Sequence, residues 1–360
     1  MDHNRTLFIA NSVYQLMTVL HLRRTFPEPG ETELLLTDIT PGLPELLPHV
    51  EKSGLFTRVF SAQASILGEQ YSMTKESSLD ELLRNHREAL RWIFSDELRE
   101  PAKIWCANFD LLTRLLAYRF GCEIAWYEDG FSSYVIDYLD PKRAAVNRHP
   151  LGQGLSQQIG GVWLYEPRLA MRGDHLKNCR IPKISTHDRE FVECLNRIFA
   201  YHAPHDPADF VFLEQSFRAE KIATNDLDLM RLCRDFVGGG RFIVKPHPRN
   251  PENLPVSLGL SRRYLDASPW ELTLLNGAAE GKTVLTVCSN AALTPRLVFG
   301  MDLNTVMLYK LFEGKVLWKE DDRLRRYLLA FQREFAGSRY FVPETSYELR
   351  HILRYLGGIV

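Results

Sequence analysis

Three short stretches set reactive side chains beside conformational breakers. Residues 125–134 read AWYEDGFSSY, with the adjacent carboxylates Glu128 and Asp129 before Gly130. Like charges side by side raise one proton affinity, so such a pair can supply a general base. Residues 241–250 read RFIVKPHPRN, which puts His247 between Pro246 and Pro248 and flanks it with Lys245 and Arg249. Proline locks its own φ and pushes the preceding residue extended, so Lys245 and His247 are kept out of a helix. A free imidazole titrates near neutrality and can meet a phosphate as donor and proton source. Residues 286–300 read TVCSNAALTPRLVFG, where Ser289 and Asn290 precede a helix expected from about Ala291 to Phe299. Free N–H groups at such a helix start would point at an anion. Each stretch also has a plain structural reading: an Asp-Gly turn, a surface loop like the second copy His149-Pro150, and a simple helix cap.

The elements that must carry these residues alternate in type. Apolar runs at 7–10, 34–36, 59–60, 103–107 and 123–127 read as strands, with helices expected at 13–24, 79–98 and 109–120. A second series follows: strand 209–214, helix 224–237, strand 242–245, strand 283–288 and strand 303–308. This βαβ rhythm predicts parallel, doubly wound sheets. Between 131 and 205 the rhythm fails in segments such as LGQGLSQQIGG and YHAPHDPADF, which suggests a crossover. Two Rossmann-like domains are therefore expected, 1–205 and 206–360, with the cleft between them as the default site. Each of the three stretches falls at a strand's carboxyl end, where open α/β sheets take their ligands.

Composition narrows the class. The 44 basic and 45 acidic side chains nearly balance, so no general nucleic-acid footprint exists and any anion must be met locally. The six cysteines form no CxxC pair and read as reduced core residues, which points to the cytoplasm. The start, MDHNRTLFIANS, is not a signal peptide, and no run of about 18 apolar residues occurs. The eleven histidines are dispersed and no DxD-like pair suggests a metal, so no metal or other cofactor is expected. A base and a phosphate clamp together suit glycosyl transfer from a nucleotide sugar, where an acceptor hydroxyl loses a proton as a leaving phosphate gains charge.

Together, Glu128-Asp129-Gly130, His247-Pro248 and Ser289 resemble the D/E-D/E-G, His-Pro and Ser/Thr motifs of bacterial sialyltransferases. The nearest in pattern are the lipooligosaccharide enzymes of glycosyltransferase family 52 and the capsule polysialyltransferases. The stretches LFIANSVYQLMTVLHL, SNAALTPRLVFG and VMLYKLF look like the same group, whereas 131–205 carries little of the likeness. The resemblance implies a GT-B architecture, with two Rossmann-like domains facing a central cleft. It further implies a metal-independent, inverting transfer of sialic acid from CMP-sialic acid to a glycan hydroxyl of a surface polysaccharide or lipooligosaccharide.

Carried over residue by residue, Asp129 or its neighbour Glu128 takes the base role and His247 the phosphate or acid role. Ser289 and Asn290 hold the CMP phosphate, with Lys245, Pro248 and Arg249 beside the histidine and Arg296 and Lys310 as further cations. Some family 52 enzymes place the base on an aspartate soon after the first strand of the second half. Here that region reads FLEQSFRAE, and Glu214 is the nearest carboxylate and third candidate. The expected partners are a nucleotide-sugar donor and a glycan acceptor. The stretches RHILRYLGGIV and DRLRRYLLAFQREF set basic beside apolar residues, as peripheral contact with the cytoplasmic face of the inner membrane would need, or as two packed helices would show. A homodimer stays open. Rival readings are a GT-B enzyme with another nucleotide sugar, such as a UDP-hexose transferase or epimerase, and a non-catalytic sugar-binding subunit.

Overall fold

The computed structural model describes residues 5–94, 98–204, 206–250, 253–265, 268–316, 321–335 and 337–358; of Ser338 only the backbone is described. The chain forms two units, one of residues 1–182 and 197–199, the other of 183–196 and 200–360. The sequence rhythm placed the junction at 205/206, whereas the units first part between Pro182 and Lys183.

The first unit is built on seven strands: β1 Arg5–Ala10, β2 Glu31–Thr37, β3 Arg58–Ala62, β4 Lys103–Cys106, β5 Glu123–Tyr127, β6 Ile159–Leu164 and β7 Asn178–Arg180. They lie in the order β3-β2-β1-β4-β5-β6-β7, and every pairing is parallel. Parallel strands are covered on both faces and so read as unbroken apolar runs. Leu34, Leu35 and Leu36, all fully buried, are the clearest case. Helices return the chain between strands. Ser12 caps the helix Val13–Thr25 by accepting from the Gln15 amide, and Asp110 caps Leu111–Phe120, which ends at Gly121 in the left-handed region at φ 60°.

Two expectations need amending. The stretch 131–205 does contain the passage between the units, from Pro182 to Lys183 and again around 197–199, but it also holds β6 and β7, two strands of the first sheet. Its signal is hidden by Gly160 and Gly161, which sit in β6 where branched residues would mark a strand. A Cβ at Gly161 would come 3.0 Å from Cys179 Sγ, so the neighbouring strand leaves little room for a side chain there. The single helix expected at 79–98 is two, Glu76–Arg84 and His86–Phe94, separated at Asn85; residues 95–97 lie outside the described residues.

The second unit carries β8 Phe210–Leu213, β9 Phe242–Lys245, β10 Thr283–Thr286, β11 Asn304–Met307 and β12 Tyr340–Phe341, all parallel, in the order β12-β11-β10-β8-β9. In the first unit the direction of winding reverses between β1 and β4, as in a Rossmann sheet. In the second it reverses between β8 and β10, as in a flavodoxin-like one. These switch points place Asn11 and Asn108 together in one sheet, and Glu214 and Cys288 in the other.

The two basic stretches are packed helices. Asp322–Phe335 buries Leu324, Tyr327, Leu328, Ala330 and Phe331, and Ser346–Leu356 buries Leu349 and Leu353. Ile359 and Val360 lie outside the described residues. No helix among the described residues is long and apolar enough to cross a membrane.

Candidate active site

At the first switch point Asn11 joins three strand ends. Its amide nitrogen donates to Asn108 Oδ1 at 3.1 Å and Asp110 Oδ2 at 2.9 Å, while its Oδ1 accepts from Thr37 Oγ1 at 2.7 Å. Gln15 Oε1 accepts from the Asn11 backbone N–H at 2.8 Å. One strand over, Glu128 extends β5 by one residue, donating its backbone N–H to Trp163 O at 3.0 Å.

The side chains of Glu128 and Asp129 take opposite directions, as successive residues leaving a strand do. Glu128 is fully buried, and both its oxygens are occupied. Tyr14 Oη donates to Oε1 at 3.1 Å; Tyr134 Oη and, at 2.9 Å, the Tyr165 backbone N–H donate to Oε2. Loss of hydration on burial outweighs these three donors and pushes the carboxyl up to about 7. Asp129 is only partly buried. Its backbone is clamped by Ser133 Oγ at 2.7 Å and Ser132 Oγ at 2.9 Å, and Gly130 at φ 69° turns the chain away. Burial raises the Asp129 carboxyl too, against the pull of a hydrogen bond from Gln15. Asp129 is thus tied through Gln15 to the switch point at Asn11. A carboxylate walled in by buried donors cannot meet a hydroxyl arriving from solvent, and of the pair only Asp129 belongs to a residue that is not fully buried.

In the second unit the His-Pro loop is organised by a residue that begins another strand's exit. Glu214 Oε2 accepts from the His247 backbone N–H at 3.2 Å and from Asn250 Nδ2 at 3.1 Å. The same Asn250 nitrogen donates to Gln215 O at 2.9 Å, and its backbone N–H closes the turn on His247 O at 3.0 Å. The His247 ring is half-buried, and its Nδ1 accepts from the Arg249 backbone N–H at 3.2 Å. The neutral ring therefore carries its proton on Nε2. Burial, helped by the Arg249 charge, holds the imidazole down at about 4. This corrects the expected near-neutral proton source: as held here, His247 is a neutral Nε2–H donor at physiological pH. Of the flanking residues, Pro248 is exposed, Lys245 Nζ donates to Ser268 O at 2.6 Å, and Arg249 Nη2 reaches Ser216 Oγ and Glu220 Oε1, each at 3.0 Å.

The expected helix at 291–299 does not form. Asn290–Ala292 is a single 3-10 turn and Pro295–Phe299 a short π-helical turn. Proline has no N–H, so Pro295 cannot donate to Ala291 O, which instead accepts from Trp270 Nε1 at 3.0 Å. Ser289 Oγ is spent on the Ala291 N–H at 3.3 Å, and the Ala292 and Leu293 N–H groups bond back to Ser289 O and Asn290 O. The row of free amides expected beyond Ser289 and Asn290 is therefore absent. Two expected cations are engaged as well: buried Arg296 donates to Thr305 Oγ1, Asp302 Oδ1 and Leu303 O, and Lys310 pairs with Glu344.

Sequence reasoning missed the residues that build these sites: Tyr14, Gln15, Tyr134 and Tyr165 in the first unit, Gln215, Arg218 and Asn250 in the second. Gln215 Oε1 accepts from the Cys288 N–H at 2.7 Å and so bridges the ends of β8 and β10. Only Asn250, a turn-type residue closing PHPRN, carried a local signal. The six cysteines are free, four of them buried. Among the described residues no group of three His, Cys, Asp or Glu is placed to hold a metal ion.

No protein-family model matches this chain, and no curated protein sequence does. Solved structures match over nearly all of it. Arabidopsis thaliana UGT89C1 complexed with UDP gives a TM-score of 0.51 at 14% identity, covering 98% of this chain and 90% of that one. Spinosyn forosaminyltransferase SpnP gives 0.50 at 14% identity, covering 99% and 91%, and TcCGT1 in complex with UDP gives 0.50 at 12% identity, covering 98% and 90%. At these identities the likeness is one of architecture, and the chain has the α/β fold of the GT-B glycosyltransferases.

Proposed function

We propose that this protein is a metal-independent, inverting glycosyltransferase that moves sialic acid from CMP-sialic acid to a glycan hydroxyl. The observation that carries the reading is positional. The D/E-D/E-G, His-Pro and Ser motifs each follow the carboxyl end of a parallel strand, β5, β9 and β10, where α/β sheets of these two windings take ligands.

In this reading Asp129 accepts the proton of the acceptor hydroxyl. Its incomplete burial and its raised proton affinity suit a base, because the ideal catalytic group titrates toward the working pH. Glu128 supports the loop from below as a buried partner of Tyr14 and Tyr134. His247 offers Nε2–H to the donor phosphate, and the phosphate charge would draw the imidazole's titration upward, favouring proton transfer to the leaving group. In the same reading Ser289 and Asn290 line the donor side, with Arg249, exposed and paired with Glu220, as a cation on the His247 loop. The acceptor is a surface glycan, and the enzyme works in the cytoplasm.

A second reading, transfer from a UDP-sugar, is favoured by one observation: two of the matched structures were solved with UDP. Thermal unfolding with CMP and UDP separates the two. Under the first reading CMP raises the midpoint and UDP does not; protection by UDP alone overturns it. Mass analysis of products from CMP-sialic acid with terminal galactosides and sialosides then identifies the transfer.

A further inference from the structure

We propose that Glu214 is a positioning residue for the His-Pro loop: it does not act as a base, but fixes the place and direction of the His247 ring by binding that residue's backbone N–H. The inference rests on the proposed donor role of His247. Glu214 is buried with its side chain 1% exposed, and each oxygen has a separate partner. Oε2 takes the His247 N–H and the Asn250 amide, and Oε1 takes the Arg218 guanidinium, which also lies 3.5 Å from Asp226 Oδ2. A base needs a free lone pair directed at an incoming hydroxyl, and this carboxylate directs its lone pairs at the loop and at Arg218.

The loop in turn depends on this carboxylate. Pro246 and Pro248 stiffen the backbone around His247, but proline donates no hydrogen bond, so neither can anchor the loop to the sheet. The anchor is the His247 N–H, the one backbone donor between the two prolines. Asn250 adds a second tie from the far side of the turn, spanning Glu214 and Gln215. With both ties made, the Arg249 N–H meets His247 Nδ1 and leaves Nε2 as the N–H donor of the neutral ring. A shift of the ring by about 1 Å would cost on the order of 100-fold in rate.

The test uses the full chain with Glu214→Ala, Asn250→Ala and the double variant Glu214→Gln with Arg218→Met. The double variant removes the cation that competes for the amide oxygen, so that oxygen stays on the loop. The readouts are the His247 ring titration by NMR, followed without ligand, and the transfer rate. Charged groups near the ring are Arg249, Glu220 and Glu214 with its partner Arg218; N250A alters none of them, E214A one, and the double variant the Glu214–Arg218 pair.

Positioning predicts that E214A frees the ring to titrate near the ordinary value of about 6.5 and lowers kcat/KM for the donor on the order of 100-fold. N250A should move both in the same direction by less, and the double variant should restore both. If the double variant loses transfer while His247 titrates as in wild type, Glu214 is a base. If E214A and N250A leave the ring titration unchanged, Glu214 does not position it. The titration needs no turnover, so it decides the point even if the donor is not CMP-sialic acid; should E214A fail to fold, N250A and the double variant still do.

Discussion

Glu128 and Glu214 hold the same place in two different sheets. Each is the first residue past a parallel strand, each donates its backbone N–H to the neighbouring strand, to Trp163 O at 3.0 Å or Lys245 O at 3.1 Å, and each buries its carboxyl group. The company differs. Glu128 is met by two tyrosine hydroxyls and an amide, all neutral, and its carboxyl is pushed up to about 7. Glu214 is met by an amide, an asparagine and a guanidinium. Neutral donors leave the buried Glu128 carboxyl with a raised proton affinity, whereas at Glu214 a guanidinium is among the partners of a carboxyl group that holds a loop.

The largest effect should come from breaking the ionic case. Arg218→Met leaves Glu214 buried without its cation and should cost about 3–5 kcal/mol in urea unfolding. Adding Glu214→Gln should recover most of that loss, since the buried charge is then gone as well. Additive losses would mean that the two side chains are not coupled.

The neutral case is sharpened by pH. A folded-state value of about 7 for Glu128, above the usual carboxylate range, means that the native state binds the extra proton between roughly pH 4.5 and 7. Its contribution is fully present below that window and is lost as pH rises through it. Wild type should therefore lose about 3 kcal/mol relative to Glu128→Gln between pH 4.5 and 8. Parallel stability profiles for the two proteins would contradict the assignment.

Asp129→Asn tests the partly buried partner of the pair. Transfer should slow by about 100-fold or more with CMP affinity unchanged, because a base meets the acceptor and not the nucleotide. Near-wild-type transfer would remove Asp129 from the chemistry. The smallest effect belongs to His247→Ala, which should change stability at pH 7 by less than about 1 kcal/mol while abolishing most turnover. In wild type, the lowered imidazole value implies stability present above about pH 6.5 and lost as pH falls toward 4. The alanine variant should lack that loss.

The alternation of apolar runs and amphipathic stretches made the two parallel sheets legible, because buried parallel strands are apolar throughout. It also placed Glu128-Asp129 and His247 at strand ends. Residues 131–205 hid two strands because Gly160 and Gly161 stand where branched residues would mark a strand, and at Gly161 the Cys179 side chain leaves little room for one. The helix after Ser289 was misread because the cap signal was local, while the competitor for Ala291 O, the Trp270 indole, lies elsewhere in the chain. Likewise Tyr165 and Arg218 are unremarkable in sequence, and acquire meaning only when folding brings a carboxylate against them. Residue types revealed where chemistry could sit; partners distant in sequence decided which carboxylate is walled in by buried donors.

The parallel winding also governs how the chain reaches this state. Among the described residues no hairpin joins neighbouring strands, and the β1–β4 seam pairs Thr6 with Lys103 while the β8–β10 seam pairs Phe210 with Thr283. Loop closure over such distances must be met before either seam rewards it. A growing polypeptide leaves the edge of β1 unpaired on that side until β4 emerges, and the edge of β8 until β10 does. Until then those nascent strand edges stay open to mispairing during synthesis.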